Sequence, residues 1–321
     1  MLKVISFGEA LVDMLSSQVS ENQSSGVEQF AKYPGGAPAN VAAAVGKLGG
    51  NSYMAGKIGT DMFGVFMRQS LHEAGVNTDY LLNTEAANTA LAFVSLDAEG
   101  ERSFTFYRNP SADMLFTADE FDDHWFADAG IFHFCSNTLT ATGIREATLA
   151  GIDKAKAAGF LISFDVNLRS NLWPAGSDPA APIWQALALA DMVKLSLDEM
   201  NFLAASSSQD EVLQRLLDSG VSLVLLTDGG NPLRYFSQQN TGTVIPPSVS
   251  MVDSTAAGDA FIGGFIYQLA AMDCQHSELN TLLNTPDRLE KALRFASQCG
   301  AYAVSHKGAF TSLPGINDLQ L

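Results

Sequence analysis

The sequence predicts an α/β protein: a mainly parallel central β-sheet covered by helices on both faces, with a small second layer of strands beside it. Three observations carry this. Short apolar runs alternate with longer segments of helical spacing along most of the chain. Glycine closes several of the helical segments. Two extended stretches are not followed by a helix, so they do not fit a parallel sheet. With 321 residues, 47% of them hydrophobic, the chain can bury a sizeable core.

Taken in order, Val4–Phe7 is the first buried strand, running from M-L-K into a glycine turn. Its apolar run is short and lacks a cleavage site, which argues against a signal peptide. Residues Leu11–Tyr33 are polar and extended. Pro38–Leu48 and Phe63–Ala74 have helical spacing, the second closed by Gly75. Thr89–Tyr107 reads as a hairpin, A-L-A-F-V-S-L and E-R-S-F-T-F-Y around a D-A-E-G turn. Buried strands follow at Ile131–Phe134, Leu161–Phe164, Met192–Leu195 and Leu223–Leu226. Between them lie helical patterns at Thr142–Ala158, Pro182–Leu189 and Glu211–Ser219, with Gly159 and Gly220 at two of the ends. A last helix starts in S-T-A-A-G-D and runs through Phe261, Ile262, Phe265, Ile266 and Leu269. Residues 1–321 are therefore expected to form one unit. Segments of about 11–33 and 79–110 are expected to build the small layer, either a plain β-insertion or a lid over a cleft.

The 18 Lys and Arg against 35 Asp and Glu leave a net charge of -17. That disfavours nucleic acid and anionic membranes as partners, because both need clustered basic residues. No apolar run approaches the about 20 residues that span a bilayer. The three cysteines, Cys135, Cys274 and Cys299, are widely spaced in apolar surroundings, the pattern of buried thiols in a reducing compartment. The expectation is a soluble cytoplasmic protein. Several chemistries lack their fingerprints: there is no G-x-x-x-x-G-K-[ST], no G-x-G-x-x-G after the first strand, no H-E-x-x-H, no C-x-x-C and no G-x-S-x-G.

Four segments remain. In Y-P-G-G-A-P-A-N, Gly35 and Gly36 allow close backbone approach and Asn40 offers a donor and an acceptor suited to sugar hydroxyls. In D-V-N-L-R-S-N-L-W, polar residues follow a buried strand, where open α/β sheets bind ligands, and Arg169 suits phosphate oxygens. K-L-S-L-D-E and L-T-D-G-G also follow strands: Thr227 and Gly229 suit phosphates, and Glu199 suits Mg²⁺-bound water. In V-D-S-T-A-A-G-D-A-F, small residues bring free amides and the positive helix end to one spot. There Asp259 could take a proton from an attacking hydroxyl. Each segment alone also has a plainer reading: a Gly-Pro helix entry, a salt-bridged loop, a turn, and a cap worth about 0.3–1 kcal/mol.

Their order decides between these readings. Gly-Gly-x-x-x-Asn, Asp-x-Asn-x-Arg, Thr-x-Gly and Asp-x-x-x-x-Gly-Asp, in this succession, resemble the ribokinase, or PfkB, family of carbohydrate kinases. The resemblance runs from Lys3 to Pro314 and includes both signature segments, Gly35–Gly64 and Asp253–Phe261. It implies a ribokinase-like core with a β-sheet lid, a sugar held between them, and MgATP along the edge of the core.

By position, the resemblance implies that Asp13, Gly35, Gly36, Asn40, Asn167 and Arg108 meet the sugar. It makes Asp259 the base, the amides of Ala256, Ala257 and Gly258 an anion hole, and Arg169 a phosphate ligand. Lys194, Ser196, Glu199, Thr227, Gly229 and Ser297 fall to the nucleotide, Glu199 reaching Mg²⁺ through water. A potassium-type monovalent cation site would use Asp253, Thr255, Ala303, His306, Gly308 and Ser312. Two positions depart from the family pattern. Ala256 stands where the family often has Gly, an extra methyl expected to matter little. Ser196 replaces the Asn of the family's N-x-x-E motif, which puts a direct role there in doubt.

T-A-L-A-F-V-S-L-D-A-E-G-E-R-S-F, F-Y-R-N-P-S-A-D-M-L and D-V-N-L-R-S-N-L-W are similar to the fructokinase branch, implying ATP-dependent conversion of D-fructose to fructose 6-phosphate. The alternatives are a sister kinase for 2-keto-3-deoxygluconate or a riboside, and a non-catalytic sugar- or nucleotide-binding regulator. The family's lids often pair, and the apolar hairpin face with Leu91 and Phe93 suits a homodimer.

Overall fold

The computed structural model describes residues 1–19, 27–96 and 102–319. Strand β1 (Lys3–Phe7) leads through Gly8 into β2 (Leu11–Val19) and β3 (Phe30–Gly35), and helix α1 (Ala37–Lys47) follows. Next come β4 (Asn51–Gly59), α2 (Met62–Glu73), β5 (Leu81–Thr84) and the paired β6 (Leu91–Leu96) and β7 (Arg102–Tyr107). From β8 (Gly130–Cys135) strands and helices alternate: α3 (Thr142–Ala157), β9 (Leu161–Asp165), α4 (Ala180–Leu187), β10 (Met192–Ser196), α5 (Leu197–Ala204), α6 (Gln209–Asp218) and β11 (Leu223–Thr227). The short β12 (Leu233–Phe236) and β13 (Thr241–Val244) precede three helices, α7 (Ala257–Ala271), α8 (His276–Leu283) and α9 (Pro286–Val304).

Among the described residues, nine strands form the large sheet in the order β13-β12-β11-β10-β9-β8-β1-β4-β5. It is parallel from β11 to β5, and β12 and β13 close one edge antiparallel. Side chains alternate between two apolar cores. Ile5, Phe7, Phe132, Phe134, Ile162 and Phe164 face one side, with residues of α3 to α6. Val4, Ile131, Leu161 and Met192 face the other, with α7, α8 and α9. Both faces of each central strand are covered, which is why these strands read as unbroken apolar runs. Helix α7 lies close to α9: a Cβ added at Gly264 would come within 2.7 Å of Cys299 Sγ.

A second sheet has the order β3-β2-β6-β7. Its central pair, β2 and β6, is parallel and the outer pairs are antiparallel. It leaves the large sheet at the carboxyl end of β1, so it stands over the carboxyl ends of the parallel strands. The expected hairpin is present as β6 and β7, while its D-A-E-G turn lies outside the described residues, as do residues 20–26 of the first extended stretch. Residues 79–90 depart from the expectation. Strand β5 pairs in parallel with β4 and belongs to the large sheet. A run as short as L-L-N-T carries no period that separates an edge strand from a lid strand. Among the described residues, no helix is long and apolar enough to cross a membrane.

Candidate active site

Strand β1 lies between β8 and β4, and the strand order reverses there. Open α/β sheets bind ligands above such a switch point. At the carboxyl ends the apolar runs stop and polar side chains begin: Glu9 after β1, Asn137 after β8, Asp165 to Arg169 after β9, Ser196 after β10, and Thr227 at the end of β11. All of these except Arg169, Ser196 and Thr227 are buried.

Asp259 sits in the first turn of α7, 6% exposed. Its two oxygens accept from two side-chain amides, Asn40 Nδ2 at 2.7 Å and Asn167 Nδ2 at 3.1 Å. Burial raises its carboxyl above the ordinary value, while Asn40, Arg169, Lys194 and Asn167 pull it back. Those hydrogen bonds fix the carboxylate and leave the Asn40 and Asn167 carbonyl oxygens without a protein partner. Asn167 holds its place with a left-handed φ of 36°. The amides of Ala257 and Gly258 open α7, where no earlier turn accepts them. Ala257 N makes one long contact, 3.4 Å, with Ser254 O.

Lys194 reaches under this helix start. Its Nζ lies 3.0 and 3.2 Å from the two Asp165 oxygens. A Cβ at Gly258 would meet the same ammonium at 3.0 Å. Burial works against the charge, but Asp165, Glu199 and Asp259 outweigh it and hold the ammonium above its usual range. Glu199 fastens the neighbouring loop: Oε1 accepts from Leu168 N at 2.8 Å and Oε2 from Ser196 N at 2.7 Å. Ser196 returns a cap to Glu199 N at 3.2 Å. Arg169 is exposed beside them.

Three comparisons bear on this arrangement. The model of the pfkB family of carbohydrate kinases matches residues 1–316. The chain belongs to this family. It is 43% identical to fructokinase-2 of Oryza sativa subsp. japonica over 317 residues, 98% of this chain and 91% of that protein. Among solved structures, a fructokinase from Xylella fastidiosa with bound ATP matches with a TM-score of 0.93 at 43% identity, covering 98% of this chain and 96% of that one. A Vibrio cholerae O395 fructokinase holding fructose, ADP and a calcium ion matches at 0.86 and 34%, covering 99% and 97%.

The other family positions of this kinase fall into three groups. On the sugar side, a Cβ at Gly35 would collide with the Asp13 carboxylate, and one at Gly36, whose φ is 99°, with the Glu9 carbonyl oxygen. Arg108 is no surface arginine. It is 5% exposed, with Nε 2.7 Å from Asp113 Oδ2 and Nη1 3.0 Å from Asn137 O. On the nucleotide side, Thr227 Oγ1 rests 3.4 Å from Leu195 O, Gly229 has a left-handed φ of 52°, and the Ser297 hydroxyl bonds Leu293 O of its own helix at 2.8 Å. In the third group, Asp253 accepts from Thr255 N and Gly308 N, both at 2.9 Å. His306 N bonds Ala303 O and Ser312 Oγ bonds Ala309 O, so the structure gathers these positions around one turn.

The motifs alone assigned no role to Asp165, Glu9, Asn137, Asp113 or Asn171. All five follow a strand or lie in a segment already noted: Asp165 opens D-V-N-L-R-S-N-L-W, Asn171 lies within it, and Glu9 and Asn137 follow apolar runs. Asp113 sits in a short 3₁₀ turn, Ala112–Leu115, within F-Y-R-N-P-S-A-D-M-L, a segment that does not show which partner it takes.

Proposed function

We propose that this chain is an ATP-dependent fructose kinase that makes fructose 6-phosphate, with Asp259 as the base. The observation that carries the reading is a buried carboxylate at a helix start, oriented by two amides, with Lys194 and Arg169 beside it. The primary hydroxyl gives its proton to Asp259 as its oxygen forms the new bond to the γ-phosphorus, and the bond from that phosphorus to the bridging oxygen breaks to release ADP. The amides of Ala256, Ala257 and Gly258 and the Lys194 ammonium stabilise charge on the transferring group, and Arg169 holds phosphate oxygens. Asp13, Gly35, Gly36, Asn40, Asn167 and Arg108 orient the sugar. Lys194, Ser196, Thr227, Gly229 and Ser297 line the nucleotide. The small sheet acts as the lid.

Two ions fit the residues present. Among the described residues no group of three or more His, Cys, Asp or Glu side chains could hold a metal ion. Glu199, pinned by two backbone amides with lone pairs to spare, suits a magnesium ion that arrives on the nucleotide and is reached through water. When bound, magnesium supplies charge neutralisation at the phosphates. Thr255 Oγ1 is buried without a protein partner, and with Asp253, Ala303, His306, Gly308 and Ser312 it suits potassium, which would steady the start of α7.

The lid's outer face supports a homodimer. Phe93 meets Phe30 and Tyr107 edge to face, with Phe30 39% and Tyr107 64% exposed. Leu91, grouped with Phe93 on sequence, packs instead toward the core. A Phe93→Asp variant that sediments like the wild type removes this contact from the proposal. The three cysteines, all free and buried, support a cytoplasmic location.

The deciding experiment is a coupled ATP-consumption assay across fructose, ribose, 2-keto-3-deoxygluconate, adenosine and fructose 6-phosphate. Turnover highest on fructose is the expected result; no turnover on fructose overturns the substrate.

A further inference from the structure

The switch point holds a polar cluster that the motifs do not name. Glu9 leaves β1 and Asn137 follows β8, and the two strands are paired in parallel, so both residues rise from the same point of the sheet. Asn137 Nδ2 donates to Glu9 Oε1 at 2.9 Å. Arg108 joins them from the base of the lid through Asn137 O, held by Asp113. Ser111 Oγ in turn donates to Asp113 Oδ1 at 2.5 Å, so both Asp113 oxygens are engaged, one by the arginine and one by Ser111. Glu9, Asn137 and Arg108 are 1%, 4% and 5% exposed.

Each of the three nonetheless keeps one buried polar atom without a protein partner: Glu9 Oε2, Asn137 Oδ1 and Arg108 Nη2. Unsatisfied buried groups of this strength are uncommon and call for a partner. The set is two acceptors and one donor. A hydroxyl group both donates and accepts, so neighbouring hydroxyls of a sugar satisfy all three atoms. The cluster lies within reach of the reacting carboxylate: Gly36 N-terminal to α1 packs on the Glu9 carbonyl, and Asn40, one turn further, holds Asp259.

We propose that Glu9 and Asn137, together with Nη2 of Arg108, bind substrate hydroxyls at the end of the cleft away from the transferring phosphoryl group, and so set which sugar the enzyme accepts. The inference rests on the sugar-kinase reading above and adds two binding residues to it. Its chemistry is that of a site built to hydrogen-bond a substrate hydroxyl, which rejects an analogue lacking it because buried partners are then left unpaired.

The test measures kcat and KM for fructose, and for fructose analogues each lacking one hydroxyl, with the full-length wild type, Glu9→Gln and Asn137→Ala. The expected result is a sugar KM raised roughly 10- to 100-fold in each variant, with the nucleotide KM within about twofold. One deoxy analogue should be discriminated against strongly by the wild type and only weakly by Asn137→Ala. A merely structural role would not move that ratio. An unchanged sugar KM, or equal losses on every analogue and on the nucleotide, overturns the inference. Should Glu9→Gln fail to fold, as a melting curve would show, Asn137→Ala alone decides. If the wild type ignores fructose but takes another sugar of the panel, the substrate assignment falls and the deoxy series is run on that sugar. A wild type that takes none of the sugars overturns both.

Discussion

The two walls of the cleft are built in opposite ways. On the large-sheet side, the buried charged groups are tied down more than once: Asp259 by two asparagines, Lys194 by both oxygens of Asp165, and Glu199 by the amides of Leu168 and Ser196. Behind them lie two apolar cores that cover both faces of the sheet. Among the described residues, the lid's own apolar cluster is small: Leu11, Ala90 and Ala92, with Phe104 and Phe106 packed on them. Beyond its base, where Val12, Met14 and Leu91 pack with the core, it meets the large-sheet side through contacts such as Asn171 Nδ2 to Phe104 O at 3.1 Å and Lys32 over the Phe66 ring at 4.2 Å. Elements with few buried contacts open at low cost, and preorganised chemistry needs rigid support. On the proposed function, the buried groups that handle charge sit on the more firmly supported wall, and the less supported wall would enclose the sugar.

The sharpest way to break that division is Asp259→Asn. It should lower kcat by about 10²- to 10⁴-fold, the range for a positioned base, while sugar and ATP still bind. Steady-state kinetics with equilibrium binding checks it, and near-wild-type turnover removes Asp259 as base. The pH profile sharpens the same point. Burial raises the Asp259 carboxyl from 3.8, and the base acts only when ionised. Activity should therefore be lost as pH falls, with the acid limb of kcat/KM above the ordinary carboxylate value. In Asp259→Asn that limb should disappear from the residual rate.

Lys194→Met tests whether the rigid wall is rigid because of its ion pair. Asp165 is 0% exposed, and removing its partner leaves a buried charge at a cost of about 3–5 kcal/mol. Denaturant unfolding should show that loss, and adding Asp165→Asn should restore most of it. Turnover should stay low in the double variant, because no ammonium remains under Gly258. Recovered turnover would make Lys194 a structural residue only.

The same contrast explains what the sequence could disclose. Strands β1, β8, β9, β10 and β11 are covered on both faces, so their apolar runs stand out in the chain. Strand β4, with Gly56, Lys57 and Gly59 among its residues, the short β12 and the edge strands β5 and β13 lack that pattern, and they emerge only from pairing. Asp259, Asn40 and Arg169 lie inside family motifs. Glu9 and Asn137 do not: their position depends on β1 and β8 being neighbours, a fact of topology that neither segment contains. Arg108 shows the limit most plainly. Its place at a hairpin end implies at most a reach toward the sugar, and the fold brings Asp113 and Asn137 around it.

On the yielding wall, Asn171→Ala removes one hydrogen bond between the lid and the loop that carries Arg169. A single such bond is worth about 1 kcal/mol, which corresponds to roughly a fivefold rise in the sugar KM. The nucleotide KM and the melting temperature should hardly move. Equal rises in both KM values would mean that the lid is as firmly built into the site as the large sheet, and the comparison would fail.

The smallest effect tests the rigid wall at a residue held in the left-handed region. Ala256 caps α7 with φ 58° and ψ 12°, the left-handed region where a side chain costs about 1 kcal/mol or more. That conformation accounts for a glycine preference at this position. Ala256→Gly relieves the strain but gives the unfolded chain more freedom, an offset of about 0.5–1 kcal/mol. The net gain should be at most about 1 kcal/mol, read as a small rise in melting temperature, with kcat within about twofold because the amide is unchanged. A kcat that falls while stability rises would show that the methyl group helps to aim the amides at the phosphoryl group, and that strain on this wall serves the chemistry.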